Sequence, residues 1–319
     1  MLLSIIVPIY NVEQYIYKCI SSIVNQNVSS ELYEIIVVND GTKDNSINII
    51  KNNFPSAGII FIDQENQGLS EARNNGLKIS KGEYVWFIDS DDWIENNALK
   101  DILPLLHNFD ILSFLSYYSN GKEEEITNIE MQSLSSNGDY ICCNRFYHQA
   151  QLYIYKKHYL IDKKLHFCQG IYHEDSEFTP RALYQATNVY FYPKPVYHYL
   201  LRENSITTTT SAKRCYDLKH VISNLYYFSE NSVMGIDRFG FKSIIADLIC
   251  SLLEQNMDLN NNKVSADVNL FLRNTNIRKC LKCSSKRTIR ILGVFSDLFP
   301  SNVTSVYSIL YKFKKKRNN

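Results

Sequence analysis

The 319-residue chain carries 34 Lys and Arg against 33 Asp and Glu, a net charge of +1, and 45% of its residues are hydrophobic. That composition suits a globular core and excludes whole-protein attraction to nucleic acid. Pro8 and Asn11 interrupt the first apolar run, no stretch offers the roughly 18 uninterrupted apolar residues that cross a bilayer, and the eight cysteines form no framework, so a reducing cytoplasm is the expected location.

Residues 3–9, Leu-Ser-Ile-Ile-Val-Pro-Ile, form an apolar run of strand length, with Pro8 placed to end the ladder because it has no N–H to donate. Asn11 is an expected N-cap for a helix over 12–25, where Val12, Ile16, Cys19, Ile20 and Ile23 recur at helical spacing. Glu34–Val38 reads as a second buried strand ending in Asn39-Asp40-Gly41-Thr42, followed by a helix that runs to Pro55. Gly58–Ile62 gives a third strand, and Leu69, Ala72, Gly76 and Ile79 mark the next helix. The strand at 84–88 completes an alternation that implies parallel strands joined by right-handed crossovers.

That last strand, Tyr84-Val-Trp-Phe-Ile88, runs straight into Asp89-Ser90-Asp91-Asp92. A parallel strand delivers its next residues to the carboxyl edge of the sheet, where ligands bind in open α/β folds. Crowded carboxylates repel unless a cation sits among them, and oxygen donors favour Mg²⁺ or Mn²⁺ completed by phosphate oxygens. The alternative is an acidic helix start, with Ser90 or Asp91 as N-cap and Asp92 favouring the helix dipole. No G-x-G-x-x-G and no P-loop follows the first strand.

Farther along, Ile111–Leu115 is a strand candidate, followed by a polar loop over about 119–139 that is expected to be exposed and mobile. Strand-like runs occur at 152–155 and 189–199, and 174–186 reads as helix with Phe178, Ala182 and Leu183 on one face. After about 212 the pattern is helical. The Cys280-Leu-Lys-Cys283 pair has no second pair at zinc spacing. The apolar stretch 289–311 precedes Lys312, Lys314, Lys315, Lys316 and Arg317, a pattern that suits either an anionic membrane surface or a last core helix with a solvated tail.

Four patterns in order, Ser4-Ile-Ile-Val-Pro-Ile-Tyr-Asn11, Val38-Asn-Asp-Gly-Thr42, Asn66-Gln-Gly-Leu-Ser-Glu-Ala-Arg-Asn-Asn-Gly76 and Asp89-Ser-Asp-Asp92, resemble the family 2 glycosyltransferases, which are inverting, metal-dependent enzymes. The resemblance is dense over 1–100, returns at 173–206 and fades after 212. It implies an α/β GT-A fold, a mainly parallel sheet flanked by helices with a C-terminal helical region. A catalytic domain is expected over 1–211, with a nucleotide half at 1–100 and an acceptor half at 101–211, before a helical region with a basic tail over 212–319.

The resemblance also implies roles. Pro8 and Tyr10 would line the base and ribose pocket, Asp40 would accept from the uracil N–H, and Asn66 and Arg73 would hold the nucleotide and its pyrophosphate. Considered apart from the pattern, Arg73 reads as a helix-surface ion pair with Glu71 or a neighbour. Gly68 and Gly76 read as backbone and packing devices. Asp91 would bind Mn²⁺ or Mg²⁺ directly, with Asp89 on the ribose or a metal-bound water, Ser90 beside the substrate, and Asp92 capping a helix. In His173-Glu174-Asp175, Asp175 matches the family's catalytic base, and Glu174 would raise its pKa by like-charge repulsion; the alternative is that both residues start a helix. Arg202, in the aromatic stretch Tyr197–Ile206, would clamp the diphosphate, His198 is a further metal-ligand candidate, and Thr207–Thr210 would form part of a lid.

The implied activity is transfer of a sugar from a UDP-sugar to a saccharide acceptor, lipid-linked, in capsule, O-antigen or exopolysaccharide synthesis at the cytoplasmic face of the inner membrane. Homo-oligomers through 212–319 are a further expectation. Two rivals stand beside it: a non-catalytic nucleotide-sugar-binding subunit of a polysaccharide synthesis complex, and a nucleotidyltransferase. The second would carry a Gly-rich basic loop after the first strand, where this chain has Tyr10-Asn-Val-Glu13.

Overall fold

The computed structural model describes residues 1–119, 124–126, 141, 146–202, 210–273, 276–301 and 303–309. Two compact units emerge, one formed by 1–137, 146–170 and 182–205, the other by 138–145, 171–181 and 206–319. The expected lid at 207–209, the basic tail from 312 and most of the polar loop over 119–139 lie outside the described residues.

The first unit is built on a mixed sheet in the order β3-β2-β1-β4-β8-β6-β9-β5, with β7 added to β6. These are β1 (Leu3–Ile9), β2 (Tyr33–Asn39), β3 (Ile60–Asp63), β4 (Tyr84–Phe87), β5 (Trp93–Ile94), β6 (Ile111–Ser119), β7 (Glu124–Ile126), β8 (Tyr153–Lys156) and β9 (Val189–Leu200). β1 to β4 are mutually parallel, as the alternation predicts. The expectation of a mainly parallel sheet holds there and for β6 with β9, whereas β8 runs antiparallel to both β4 and β6, β7 to β6, and β5 to β9. The βαβ pattern stops at residue 88, and past it antiparallel pairing enters the sheet.

Pro8 ends the ladder on one side only. β1 pairs with β2 through Ile9 but with β4 only through Ile6, so the missing N–H falls where β4 has already left the sheet. The three crossovers are α1 (Ile16–Val24), α2 (Ser46–Asn53) and α3 (Leu69–Ile79). Helix α1 begins four residues later than expected, and Asn11 is not its cap. Asn11 has φ +53°, and its N–H donates to Thr42 Oγ1; Val12 and Glu13 donate to Ser46 and Asp44, so 11–13 are tied to the loop after β2. Gly76 lets α3 lie close on the sheet, since a Cβ there would sit 2.4 Å from Ile6 Cγ2.

The second unit has its own apolar core. Helices α7 (Ala212–Ser232), α8 (Asp237–Leu259), α9 (Asn262–Arg273) and α10 (Arg287–Leu298) bury Leu218, Val221, Leu225, Phe241, Ile245, Leu252, Val268 and Leu292; α4 to α6 are Ala98–Ile102, Lys157–Asp162 and Glu174–Gln185. Arg238 closes the end of α7 by donating to the carbonyls of Ser229 and Val233. Cys280 and Cys283 lie on a 3-10 segment between α9 and α10, and burial pushes the Cys280 thiol up to about 12, so it stays protonated at neutral pH.

Candidate active site

Four parallel strands end at one edge, and the first unit gathers its polar residues there. Asp40, directly after β2, is 3% exposed and holds the loop after β3: Oδ1 accepts from Gln64 Nε2 (2.8 Å) and Gln67 N (2.8 Å), and Oδ2 from Gly68 N (2.9 Å). Three donors occupy a carboxylate with about four acceptor positions, leaving one on Oδ2. Gly41 follows at φ +69°, and a Cβ on it would meet Asn66 N at 2.9 Å, so the loops carrying Asp40 and Asn66 pack backbone to backbone. Asn39 donates to Asp63 (2.8 Å) and accepts from Thr42 N (2.9 Å); an Asp could not donate to a neighbouring carboxylate. Asn66 is exposed, as is Tyr10, while Pro8 is buried.

Beyond β4 the chain makes a turn, not a helix. Ser90 and Asp91 form it, and Trp93–Ile94 then enter β5, so the helix-start alternative and the capping role of Asp92 are both corrected. Asp92 is instead a buried clamp: its Oδ2 accepts from Tyr197 Oη (2.7 Å) and its Oδ1 from Leu200 N (2.8 Å), fastening the acidic turn to β9. Tyr197 Oη accepts in turn from Asp89 N (3.2 Å). Burial, with Asp91 and Asp89 close by, pushes the Asp92 carboxyl well above the usual range. Below the turn the buried Cys19 donates to the Asp89 carbonyl, and burial above all keeps its thiol protonated.

Each of the other two carboxylates faces an arginine. Arg73, 1% exposed, meets Asp89 Oδ1 at 2.6 Å, which replaces the reading of a surface pair with Glu71. Its guanidinium lies over Phe167, 5.1 Å from the ring centre, and Asn74 fixes that phenylalanine by exchanging two hydrogen bonds with its backbone. Arg202 Nε meets Asp91 Oδ2 at 2.6 Å and lies over the Tyr15 ring. Burial and Asp89 raise the Asp91 pKa even though Arg202 opposes them.

Carboxylate oxygens at such an edge fit a hard divalent cation. Among the described residues no three His, Cys, Asp or Glu side chains group to hold one alone, so such an ion would need phosphate oxygens as well. His198, the further ligand candidate, is stacked between Trp93 and Tyr117 (ring centres 5.0 and 4.6 Å away), and its Nε2 meets Glu95 at 3.0 Å. That is the geometry of a packed strand histidine.

Asp175 belongs to the second unit, in the first turn of α6, where its Oδ1 accepts from Ser176 N (2.6 Å). The preceding backbone is held from α7: Asp217 accepts from Tyr172 N (2.9 Å) and pairs with Lys213 (2.6 Å), and Arg214 Nε lies 3.5 Å from His173 Nε2. Tyr197, Asn74, Asp217 and Arg214 are positioning residues that the sequence reading did not assign. Lys213 and Asp217 have the i, i+4 spacing of a helical pair, but nothing local links them to Tyr172.

The profile described as "Glycosyl transferase family 2" matches residues 4–200, well over half of the chain. The chain belongs to that family. Among curated relatives of this family 2 glycosyltransferase, "Glycosyltransferase GlyA" of Streptococcus pneumoniae is 42% identical over 124 residues, 38% of this chain and 18% of the relative. "Poly(ribitol-phosphate) beta-N-acetylglucosaminyltransferase TarP" of Staphylococcus aureus is 33% identical over 171 residues, 51% of each. The chain thus spans about half or less of the length of these two relatives. Among solved structures, S. aureus TarS 1-349 in complex with UDP-GlcNAc superposes with a TM-score of 0.73 at 20% identity, covering 97% of this chain and 92% of that one. The shared fold is therefore GT-A, a mixed sheet with flanking helices and a helical C-terminal region.

Proposed function

We propose that this glycosyltransferase moves a sugar from a UDP-sugar to a saccharide acceptor, lipid-linked and destined for a surface polysaccharide, with inversion at the anomeric carbon. The observation that carries the reading is the acidic turn at the sheet edge, in which Asp89 and Asp91 each face a guanidinium. TarP and TarS lend the donor class support, since one is named for N-acetylglucosamine transfer and the other has UDP-GlcNAc bound.

Asp40 would take the uracil N–H on its remaining Oδ2 position, with Pro8, Tyr10 and Asn66 beside the base and ribose. Asp91, with Asp89, would hold Mn²⁺ or Mg²⁺, whose charge offsets that of the departing diphosphate. Arg202 and Arg73 would turn toward phosphate oxygens, which a guanidinium binds in bidentate fashion. Asp175 would accept the proton of the attacking acceptor hydroxyl.

A panel of UDP-sugars assayed for UDP release, with and without Mn²⁺ or Mg²⁺, tests this. Asp91→Ala should abolish metal-dependent release with circular dichroism unchanged, and Asp175→Asn should cut turnover by about 10²–10⁴ while leaving UDP affinity intact. If wild type binds UDP and metal yet turns over no donor–acceptor pair, a binding subunit replaces the enzyme.

A further inference from the structure

Helix α10 is apolar on two opposite sides. Ile289, Leu292, Gly293 and Ser296 are buried, and Gly293 approaches the 3-10 segment so closely that a Cβ would lie 2.9 Å from Lys282 N. Opposite them, Ile291, Val294, Phe295, Leu298 and Phe299 follow at i, i+3, i+4, i+7 and i+8, and are 41, 54, 46, 66 and 54% exposed. Single exposed apolar residues need no explanation, but a continuous stripe on a helix already packed through its other side calls for a second apolar environment.

The charge of the segment that carries this stripe is one-sided in sequence. Eleven of the 34 Lys and Arg but one of the 33 Asp and Glu fall after residue 275, so that stretch carries +10 and the rest of the chain −9. The single acid of that stretch, Asp297, is already taken up by Lys282 and Arg278, and Asp247 of α8 by Lys286. Arg287 and Arg290 are exposed on α10 itself, as is Lys279 on the 3-10 segment before it. We propose that this face of α10 docks on an anionic lipid surface, its apolar stripe entering the acyl boundary and its basic flanks meeting the headgroups. No described helix is long and apolar enough to cross a membrane, so the helix lies on the surface. A second copy of the chain is the poorer occupant, because pairing the stripes would bring two strongly positive regions together. The inference does not depend on the reaction proposed above.

Cosedimentation of the full chain with vesicles of phosphatidylcholine alone, or mixed with phosphatidylglycerol, tests it. Binding is expected only to the mixed vesicles and should weaken with added salt. Phe295→Ser with Leu298→Glu, and separately Lys279→Glu with Arg287→Glu, should each lower partitioning by about tenfold or more, with the melting curve and UDP release unchanged. No binding to mixed vesicles would overturn the proposal, as would binding that neither pair of substitutions reduces. So would light scattering showing a wild-type dimer that the Phe295→Ser, Leu298→Glu protein loses.

Discussion

At the scale of single residues, Asp92 is the carboxylate whose role departs most from its pattern. It sits in the acidic turn, yet both its oxygens are spent on Tyr197 and Leu200, so it fastens the turn to β9 and leaves Asp89 and Asp91 for chemistry. Asp92→Ala leaves the half-buried Leu200 N–H and the buried Tyr197 hydroxyl without this acceptor. It should cost about 2–4 kcal/mol in denaturant unfolding, from roughly 1–3 kcal/mol for the buried hydroxyl and about 1 for the half-buried N–H. Asp92→Asn keeps one acceptor and should cost less. The pH dependence follows from the raised pKa. Between the usual carboxylate range and the higher folded value, the folded chain holds a proton that the unfolded chain has released. Stability from this group is therefore present at low pH and is lost as pH rises through the folded pKa. Unfolding free energies measured across mildly acid pH should show that downward contribution in wild type and its loss in Asp92→Asn.

At the scale of elements, the parts legible in the sequence are those set by local rules. The strands over 3–9, 84–87 and 189–200 and the helix over 69–79 follow from apolar runs and spacing, and Gly76 was readable as a close-approach residue. The start of α1 was not, because Val12 and Glu13 donate to side chains about thirty residues away instead of opening a helix. Nor was the turn at Ser90–Asp91, since acidic residues open helices and turns alike, and only pairing of Trp93–Ile94 with β9 decides between them. For Gly76→Ala, the added methyl at 2.4 Å from Ile6 Cγ2 must lift α3 off β1, costing about 1–3 kcal/mol. Arg73 rides on the same helix, so the substitution should also raise the KM for the nucleotide donor more than it lowers kcat. Thermal melts and steady-state UDP release separate the two effects. His198→Ala removes a ring stacked on Trp93 and Tyr117 and should destabilise by about 1–2 kcal/mol. Calorimetric Mn²⁺ affinity in the presence of UDP should not change.

At the scale of the whole molecule, the division into two units sets where ligand binding is felt. Asp40, Asn66, Arg73, Asp89, Asp91 and Arg202 all belong to the first unit, whereas Asp175, Asp217 and the helices over 212–298 belong to the second. If UDP with Mn²⁺ is held as proposed, its binding energy enters the stability of the first unit. A ligand at a hundred times its Kd stabilises the state that binds it by about 2.7 kcal/mol. Amide exchange should therefore slow by up to about a hundredfold across residues 1–94 and 189–202, most strongly in the backbone following β2, β3 and β4. The slowly exchanging amides of α7 and α8, protected by a separate core, should keep their ligand-free rates. Hydrogen exchange followed by mass spectrometry, with and without UDP and Mn²⁺, reads both regions in one experiment. Equal protection of α8 and β4 would assign the nucleotide to residues of both units and remove the acidic turn from its central place. Protection limited to the sheet edge, and absent in Asp91→Ala, would tie the binding energy to that turn.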